Sequence, residues 1–489
     1  MNDQKVGISA ISTYVPPYRV DLEEWCTWTN QSWEKIKHVI GTGFRMMGPN
    51  QTIYTMAANA VLDLILSHKV SPSEIGFLAL GTESSTDNSA GSIIIKGMVN
   101  KELKRRSIEP ISNNCEVPEY KQACLSGIYA LKNAVRFIKT DAPRLKGIVV
   151  CSDIALYQLG ASGEPTQGAG AVAVLIESNP KIAEVKTSEA GSASDYRHLD
   201  FRKPIQYRAK QANGHSDFDL ELPIFNGKYS SSCYVDGTLN AMDDMSSKNS
   251  GHLANHLKGT KAIFMHRPFK KMPITAFSIA YLYALAHGDK IDHEELIKYV
   301  NLSNLDENEI LEELLNKPNV SDFPDSDINR EALPLTTELV KIIHSESDFQ
   351  KNVISKLRFG SELTMEMGNI YSGSVFGWLS AGLEDALNCE VDLSNEEALM
   401  IGYGSGDAAE VIPIIFVKGW QKSAKITPFS SAFKSHINLT HEQYLKLRSE
   451  KTTNGIDYDL RNEFVVRKIG TEERVDFQDA GIEYYEFLN

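Results

Sequence analysis

Residues 75–85 read Ile75-Gly76-Phe77-Leu78-Ala79-Leu80-Gly81-Thr82-Glu83-Ser84-Ser85. A short apolar run bounded by small residues is the pattern of a strand buried on both faces. It ends at Gly81, and small residues at a strand end let the backbone approach a ligand closely. The same strand character recurs at 6–11, 147–151, 171–176 and 411–417. Between these runs, 55–66 and 128–138 place apolar residues at helical spacing. Strand alternating with helix predicts an α/β fold with helix-covered sheets. The run at 399–403 ends in Gly404-Ser405-Gly406, a second small-residue strand end. In open α/β sheets such ends are where sites form.

With 489 residues, 42% of them hydrophobic, the chain can bury one large core or two to three ordinary ones. A net charge of −14 argues against a nucleic-acid partner, which calls for a basic stripe. The basic run Lys101-Glu102-Leu103-Lys104-Arg105-Arg106 reads as a solvated helix face. Six cysteines without a Cys-x-x-Cys pair, in a chain too long to need disulfide staples, predict a reducing, cytoplasmic setting. The opening MNDQKVGISA lacks the basic and apolar regions of a signal peptide. No apolar run reaches the ~18 residues of a membrane span, so no membrane partner is expected. Residues 277–286 read as a buried helix instead. Residues 289–356, rich in Asp, Glu, Asn and Lys, read as an inserted, mostly helical surface region. The polar tail from 421 reads as helical cover away from the active site.

Three side chains could do chemistry. Cys124 follows Tyr120-Lys121-Gln122-Ala123 and precedes an amphipathic helix. At a helix N-terminus the dipole and unpaired N–H groups lower a thiol's pKa, and the thiolate is the form that attacks a thioester. A free cysteine is also commonly just a buried small hydrophobe. His266 ends a short apolar run that Pro268 breaks, a place suited to acid–base work near neutral pH; the bland alternative is a satisfied core histidine. Glu83, among Ser and Thr after an apolar strand, could be a base with a raised pKa or an ordinary helix-start acid. The glycine-rich runs 163–170 and 402–406 match no nucleotide-binding pattern; their N–H groups could polarise a carbonyl. No metal-ligand spacing is present, and no metal is expected.

Together these segments resemble the 3-hydroxy-3-methylglutaryl-CoA synthase family of the thiolase superfamily. The matches, in family order, are ESSTDNSAG from Glu83, EYKQAC ending at Cys124, SDIALY from Ser152 and SGEPTQGAGAVAVLI from Ser162. They continue with LDFRKP from Leu199, HRPFKKM from His266, GNIYSGS around Asn369 and YGSG around Ser405. The resemblance implies a thiolase-like pseudo-duplicated α/β/α/β/α sandwich. Its halves would be 1–180 and 222–420, joined by 181–221, with the insertion at about 289–356 and a C-terminal extension at 421–489. It implies that Cys124 carries an acetyl group, Glu83 removes a methyl proton, and His266 holds the second thioester. Asn369 would bind that substrate, and the N–H groups of Cys124 and Ser405 would form an oxyanion hole. Asp153, Thr166, Asp200 and Phe201 would line or support the pocket, and Lys271 would approach CoA. It implies acyl-CoA substrates, no cofactor and a homodimer.

The family often has an aromatic residue directly after the nucleophile, where this chain has Leu125. A missing ring would alter how the acetyl group is held. The nearest rival reading is the same chemistry on chains bound to acyl carrier protein, as in polyketide β-branching. A ketoacyl synthase or thiolase is another reading, although those sites usually lack an acid equivalent to Glu83. A reading from a different class is a non-catalytic acyl-CoA-binding scaffold.

Overall fold

In this computed structural model residues 4–203, 222–249, 251–458 and 460–489 are described. Of the expected connecting segment, 204–221 lies outside them. The predicted strands form as β1 (Val6–Tyr14), β2 (Ile75–Gly81), β4 (Lys146–Ala155) and β5 (Gly168–Ser178), and a short strand that the sequence did not announce, β3 (Glu119–Tyr120), joins β2. Beyond them lie β6 (Ala183–Val185), β7 (Gly191–Ser194), β8 (Ala262–Met265), β9 (Glu397–Gly404) and β10 (Ala408–Phe416). They hydrogen-bond in the order β8-β9-β10-β6-β1-β5-β4-β2-β3, with β7 also on β10.

The order contains a repeat. In the first half β1 pairs antiparallel with β5, β5 antiparallel with β4, and β4 parallel with β2. In the second half β6, β10, β9 and β8 repeat this antiparallel, antiparallel, parallel series. The two halves are joined into one sheet because β6 pairs with both β1 and β10.

Period-two alternation sends neighbouring side chains to opposite faces. Phe77 and Ala79 of β2, Val149 and Cys151 of β4, and Val172 and Val174 of β5 face the central core. Leu78 and Leu80, Ile148 and Val150, and Ala171 and Ala173 face an outer core under helices α1 (Ile53–Ser67) and α2 (Gly91–Arg105). The central core holds α3 (Ser126–Thr140) and α6 (Ser374–Asn388), and α4 (Gly227–Lys248) and α5 (Lys271–Ala286) pack beyond the second half. The layers are therefore α/β/α/β/α.

The duplication puts chemistry-bearing ends together. β2 runs into Glu83 and β8 into His266; the loops before α3 and α6 carry Cys124 and Asn369. The starts of α3 and α6 approach so closely that a methyl on Gly127 would strike the Ser372 carbonyl and the Phe376 ring.

Residues 289–356 hold helices Lys290–Val300, Glu307–Leu315, Pro334–Ile343 and Ser347–Asn352. The helical cover expected for the tail is corrected. Beside helices Gln421–Ala424 and α7 (His441–Ser449), the tail adds strand Ile437–Asn438 onto Tyr18–Asp21 and pairs Phe464–Ile469 with Glu483–Phe487. The β-branched and aromatic runs FVVRKI and EYYEF suit a pleated surface better than a helix. Phe464 enters the outer core beside α1.

Candidate active site

Cys124 lies in the loop between β3 and α3, 5% exposed. The Ser126 hydroxyl donates to the Thr82 carbonyl at 3.0 Å, tying the start of α3 to the end of β2. That link brings the Cys124 thiol 3.4 Å from a Glu83 carboxylate oxygen, to which it donates. The helix-dipole expectation of a lowered thiol pKa is corrected. Burial, then the Glu83 and Asp153 charges, raise the Cys124 pKa well above its ordinary value. α3 begins two residues further on, and its partial charge is outweighed by exclusion of water beside carboxylates. Burial also pushes the Glu83 pKa up to about 7, against the pull of the Lys203 cation.

Asp153, fully buried at the end of β4, holds Glu83 from behind. One of its oxygens accepts from the Glu83 N–H at 2.7 Å, the Ser84 N–H at 3.0 Å and the Thr82 hydroxyl at 2.9 Å. The other accepts from the Ser372 N–H at 3.0 Å and from the Ser372 hydroxyl, which joins the two halves of the fold.

His266 follows β8, fixed by its N–H donating to the Ile401 carbonyl at 2.7 Å and by Tyr234, whose hydroxyl donates to the His266 carbonyl at 2.6 Å. Burial lowers its pKa to about 3, so the ring is neutral at physiological pH. Its Nδ1 has no hydrogen-bond partner among the described residues. Cys124 and His266 face a cavity of about 170 Å³ that Thr166, Phe201, Asn369 and Ser405 also line. The Asn369 N–H donates to the Thr166 carbonyl at 3.0 Å, and its side-chain oxygen accepts from the Tyr371 N–H at 2.9 Å. Ala123, Phe201 and Tyr371 have positive φ angles of 44°, 44° and 41°. Such backbone in non-glycine residues costs on the order of 1–3 kcal/mol each and clusters at functional sites.

Asp153 and Asp200 support this cavity without lining it. Asp200 accepts from the Tyr403 hydroxyl at 2.6 Å and the Gly406 N–H at 3.3 Å, which holds the turn carrying Ser405. Asp200, Cys233 and Asp407 are the one acidic cluster of cation-binding spacing among the described residues. Arg197 already neutralises Asp407 at 3.3 Å there. Lys271 lies outside the cavity, on a cleft of about 650 Å³ that meets it at Val39, Tyr234, Phe269 and Met272.

Leu125 faces away from the cavity. It is wholly buried and packs against β9, where a methyl on Gly402 or Gly404 would strike it. The rings packed in the cluster of Cys124 belong to Tyr157, Tyr371 and the half-buried Phe201, and Tyr234 and Tyr403 also line the cavity. Sequence reasoning did not single out these tyrosines, although Tyr157, Tyr371 and Tyr403 stand inside the quoted motifs. Tyr234 has no local signal, because only the packing of α4 on the second half-sheet brings it in.

Residues 2–181 match the family described as hydroxymethylglutaryl-coenzyme A synthase N terminal, and 213–455 match its C-terminal counterpart. The hydroxymethylglutaryl-CoA synthase of Haloferax volcanii is 28% identical over 81% of this chain and 79% of its own length. That of Enterococcus faecalis is 25% identical over 94% of this chain and 95% of its own. Among solved structures, MvaS in complex with 3-hydroxy-3-methylglutaryl coenzyme A aligns with a TM-score of 0.74, 21% identity and full coverage of both chains. The curacin-pathway HMG synthase in complex with acetyl donor-ACP aligns with a TM-score of 0.70 and 18% identity, covering 99% of this chain and 100% of its own. These two likenesses are of fold.

Proposed function

The chain belongs to the hydroxymethylglutaryl-coenzyme A synthase family, and from that premise we propose that it condenses acetyl-CoA with acetoacetyl-CoA through an acetyl thioester on Cys124. The observation that carries the reading is the Cys124–Glu83 hydrogen bond beside a cavity that His266 and Asn369 also line. A thiol held protonated by burial needs a base within reach, and Glu83 is that base.

Cys124 Sγ bonds to the acetyl carbon of acetyl-CoA and its proton passes to Glu83. The departing CoA sulfur takes that proton and leaves as the thiol. Glu83, a carboxylate again, removes a proton from the acetyl methyl group. The carbon so freed bonds to the ketone carbon of acetoacetyl-CoA, while the neutral His266 ring donates a hydrogen bond to the forming alkoxide. The proton held by Glu83 completes the tertiary alcohol. Water then cleaves the thioester, giving HMG-CoA and the free Cys124 thiol. Asn369 and Thr166 seat the second substrate, Phe201 and Ser405 close the cavity, and Asp153 and Asp200 hold Glu83 and the Ser405 turn. Lys271 meets the CoA phosphates on the outer cleft. The thioester itself acidifies the methyl group and Cys124 supplies the covalent bond, so the chemistry calls for no resident cofactor. The proposal extends to halves at 1–180 and 222–420, the second completed by β6 from the connecting segment, and to a homodimer and a cytoplasmic setting. Among the described residues no helix is long and apolar enough to cross a membrane.

The test is turnover of acetyl-CoA with acetoacetyl-CoA, run beside acetyl-CoA with a β-ketoacyl carrier protein. HMG-CoA formation in the first mixture is expected. Turnover in the second alone would transfer the reading to carrier-bound chains.

A further inference from the structure

The C-terminal extension reaches the cavity wall. α7 is a well-made helix: the Thr440 hydroxyl accepts from the Gln443 N–H at 3.3 Å and the Gln443 side chain accepts from the Thr440 N–H at 2.9 Å. Its buried face carries Tyr444 and Leu447 into a core with Trp25 and Phe44. From that anchor the Tyr444 hydroxyl donates to Glu164 at 2.7 Å and accepts from the Gln167 side chain at 3.1 Å. One turn on, Arg448 donates both to the Gln167 side-chain oxygen and to the Tyr157 carbonyl. The same Gln167 oxygen accepts from the Tyr157 N–H at 3.1 Å.

Glu164 and Gln167 are buried at 3% and 0% exposure. They bracket Thr166, and their neighbour Tyr157 meets the Asn369 side-chain amide at 3.5 Å beside the cavity. Asn369 is in turn pinned to this wall by its N–H on the Thr166 carbonyl at 3.0 Å. Two side chains of the extension therefore fix both ends of the 157–167 wall, which lies beside Asn369 through Thr166 and meets Cys124 through the Tyr157 ring.

We propose that Tyr444 and Arg448 are positioning residues for the acceptor half of the reaction: the extension holds the 157–167 wall where Asn369 and Thr166 seat the second thioester. This rests on the functional reading above. A wall displaced by a fraction of an ångström weakens the seating of the acceptor more than acyl transfer to Cys124: the wall meets Cys124 through the Tyr157 ring, but Glu83 and Cys124 are themselves held by β2, α3 and Asp153.

The test uses the full chain with Arg448→Met, Arg448→Lys and Tyr444→Phe. Acetylation of Cys124 by acetyl-CoA alone is measured apart from KM for acetoacetyl-CoA in the complete reaction, and thermal midpoints are recorded. Arg448→Met is expected to raise the acceptor KM by about tenfold or more while acetylation stays within about twofold of the unsubstituted chain. Arg448→Lys recovers part of the loss, because an ammonium still reaches one of the two oxygens. Tyr444→Phe, which removes a single oxygen and keeps the ring packing, shifts KM in the same direction and decides the matter if Arg448→Met does not fold. Unchanged acceptor KM in Arg448→Met and Tyr444→Phe overturns the inference, as does an equal loss in both half-reactions. An unsubstituted chain that never acetylates Cys124 sinks the functional reading instead.

Discussion

The thiol of Cys124 donates to a Glu83 carboxylate oxygen 3.4 Å away; Cys124 is buried and Glu83 is half-buried beside it. Neither group is reactive by itself in this setting. The thiol is held protonated and the carboxyl titrates near neutrality, so each step that moves a proton has the same acceptor.

The first consequence is a pH profile. Glu83 accepts protons only as a carboxylate, and its pKa is pushed up to about 7 by burial. kcat/KM should therefore rise with pH through about 7 and level off above it. Glu83→Gln is expected to remove this limb and lower condensation by about 10²–10⁴-fold. A limb near the ordinary carboxylate value of about 4.3 would place the acid elsewhere.

The same raised pKa has a cost in stability. A carboxyl at about 7 in the folded chain and near 4.5 when unfolded binds its proton more tightly in the fold. Its contribution is present in full below the unfolded value and is lost as pH rises through the folded one. Glu83→Gln keeps the shape without the charge. Relative to the unsubstituted chain it should gain on the order of 3 kcal/mol between about pH 4 and pH 8. Denaturant titrations at the two pH values measure the difference, and parallel behaviour of the two proteins would rule out a buried ionising Glu83.

His266 is neutral at working pH because burial lowers its pKa to about 3. It should therefore add no limb near pH 6.5 to the rate profile. Its service as a hydrogen-bond donor makes His266→Ala cost about 10²–10³-fold in condensation, with Cys124 acetylation far less affected. Separate measurement of the two half-reactions checks both statements.

Leu125 separates what the sequence made legible from what it did not. As the residue after the nucleophile it looked like an altered pocket wall, yet it packs beneath Gly402 and Gly404. Which way a side chain points at a helix start depends on the facing strand, β9, more than two hundred residues away. Leu125→Ala should thus destabilise by about 2–5 kcal/mol while folded molecules keep their acyl-donor preference. Denaturation beside a donor panel decides it, and a changed preference at unchanged stability would contradict the packing.

Much else was readable because it is local. The run at 75–80 became β2 from Ile75 to Gly81, and the helical spacing at 55–66 became α1. Glu83, Cys124, His266 and Asn369 were named from their motifs, and the fold brings them around one cavity or directly behind it. The direction of the Cys124 pKa shift was misread because the dipole of α3 is a local cue, whereas the opposing carboxylates Glu83 and Asp153 arrive from other strands. The tail was misread for a related reason: Arg448 acts on Tyr157 and Gln167, which are distant in sequence.

The central claim is that Cys124 carries the acyl group. Incubation with labelled acetyl-CoA, an acid quench and peptide mass analysis test it most directly. One acetyl group on the peptide containing Cys124 is expected, lost in Cys124→Ser and discharged on adding acetoacetyl-CoA. Label that is absent, or that sits on another residue while HMG-CoA still forms, would contradict it.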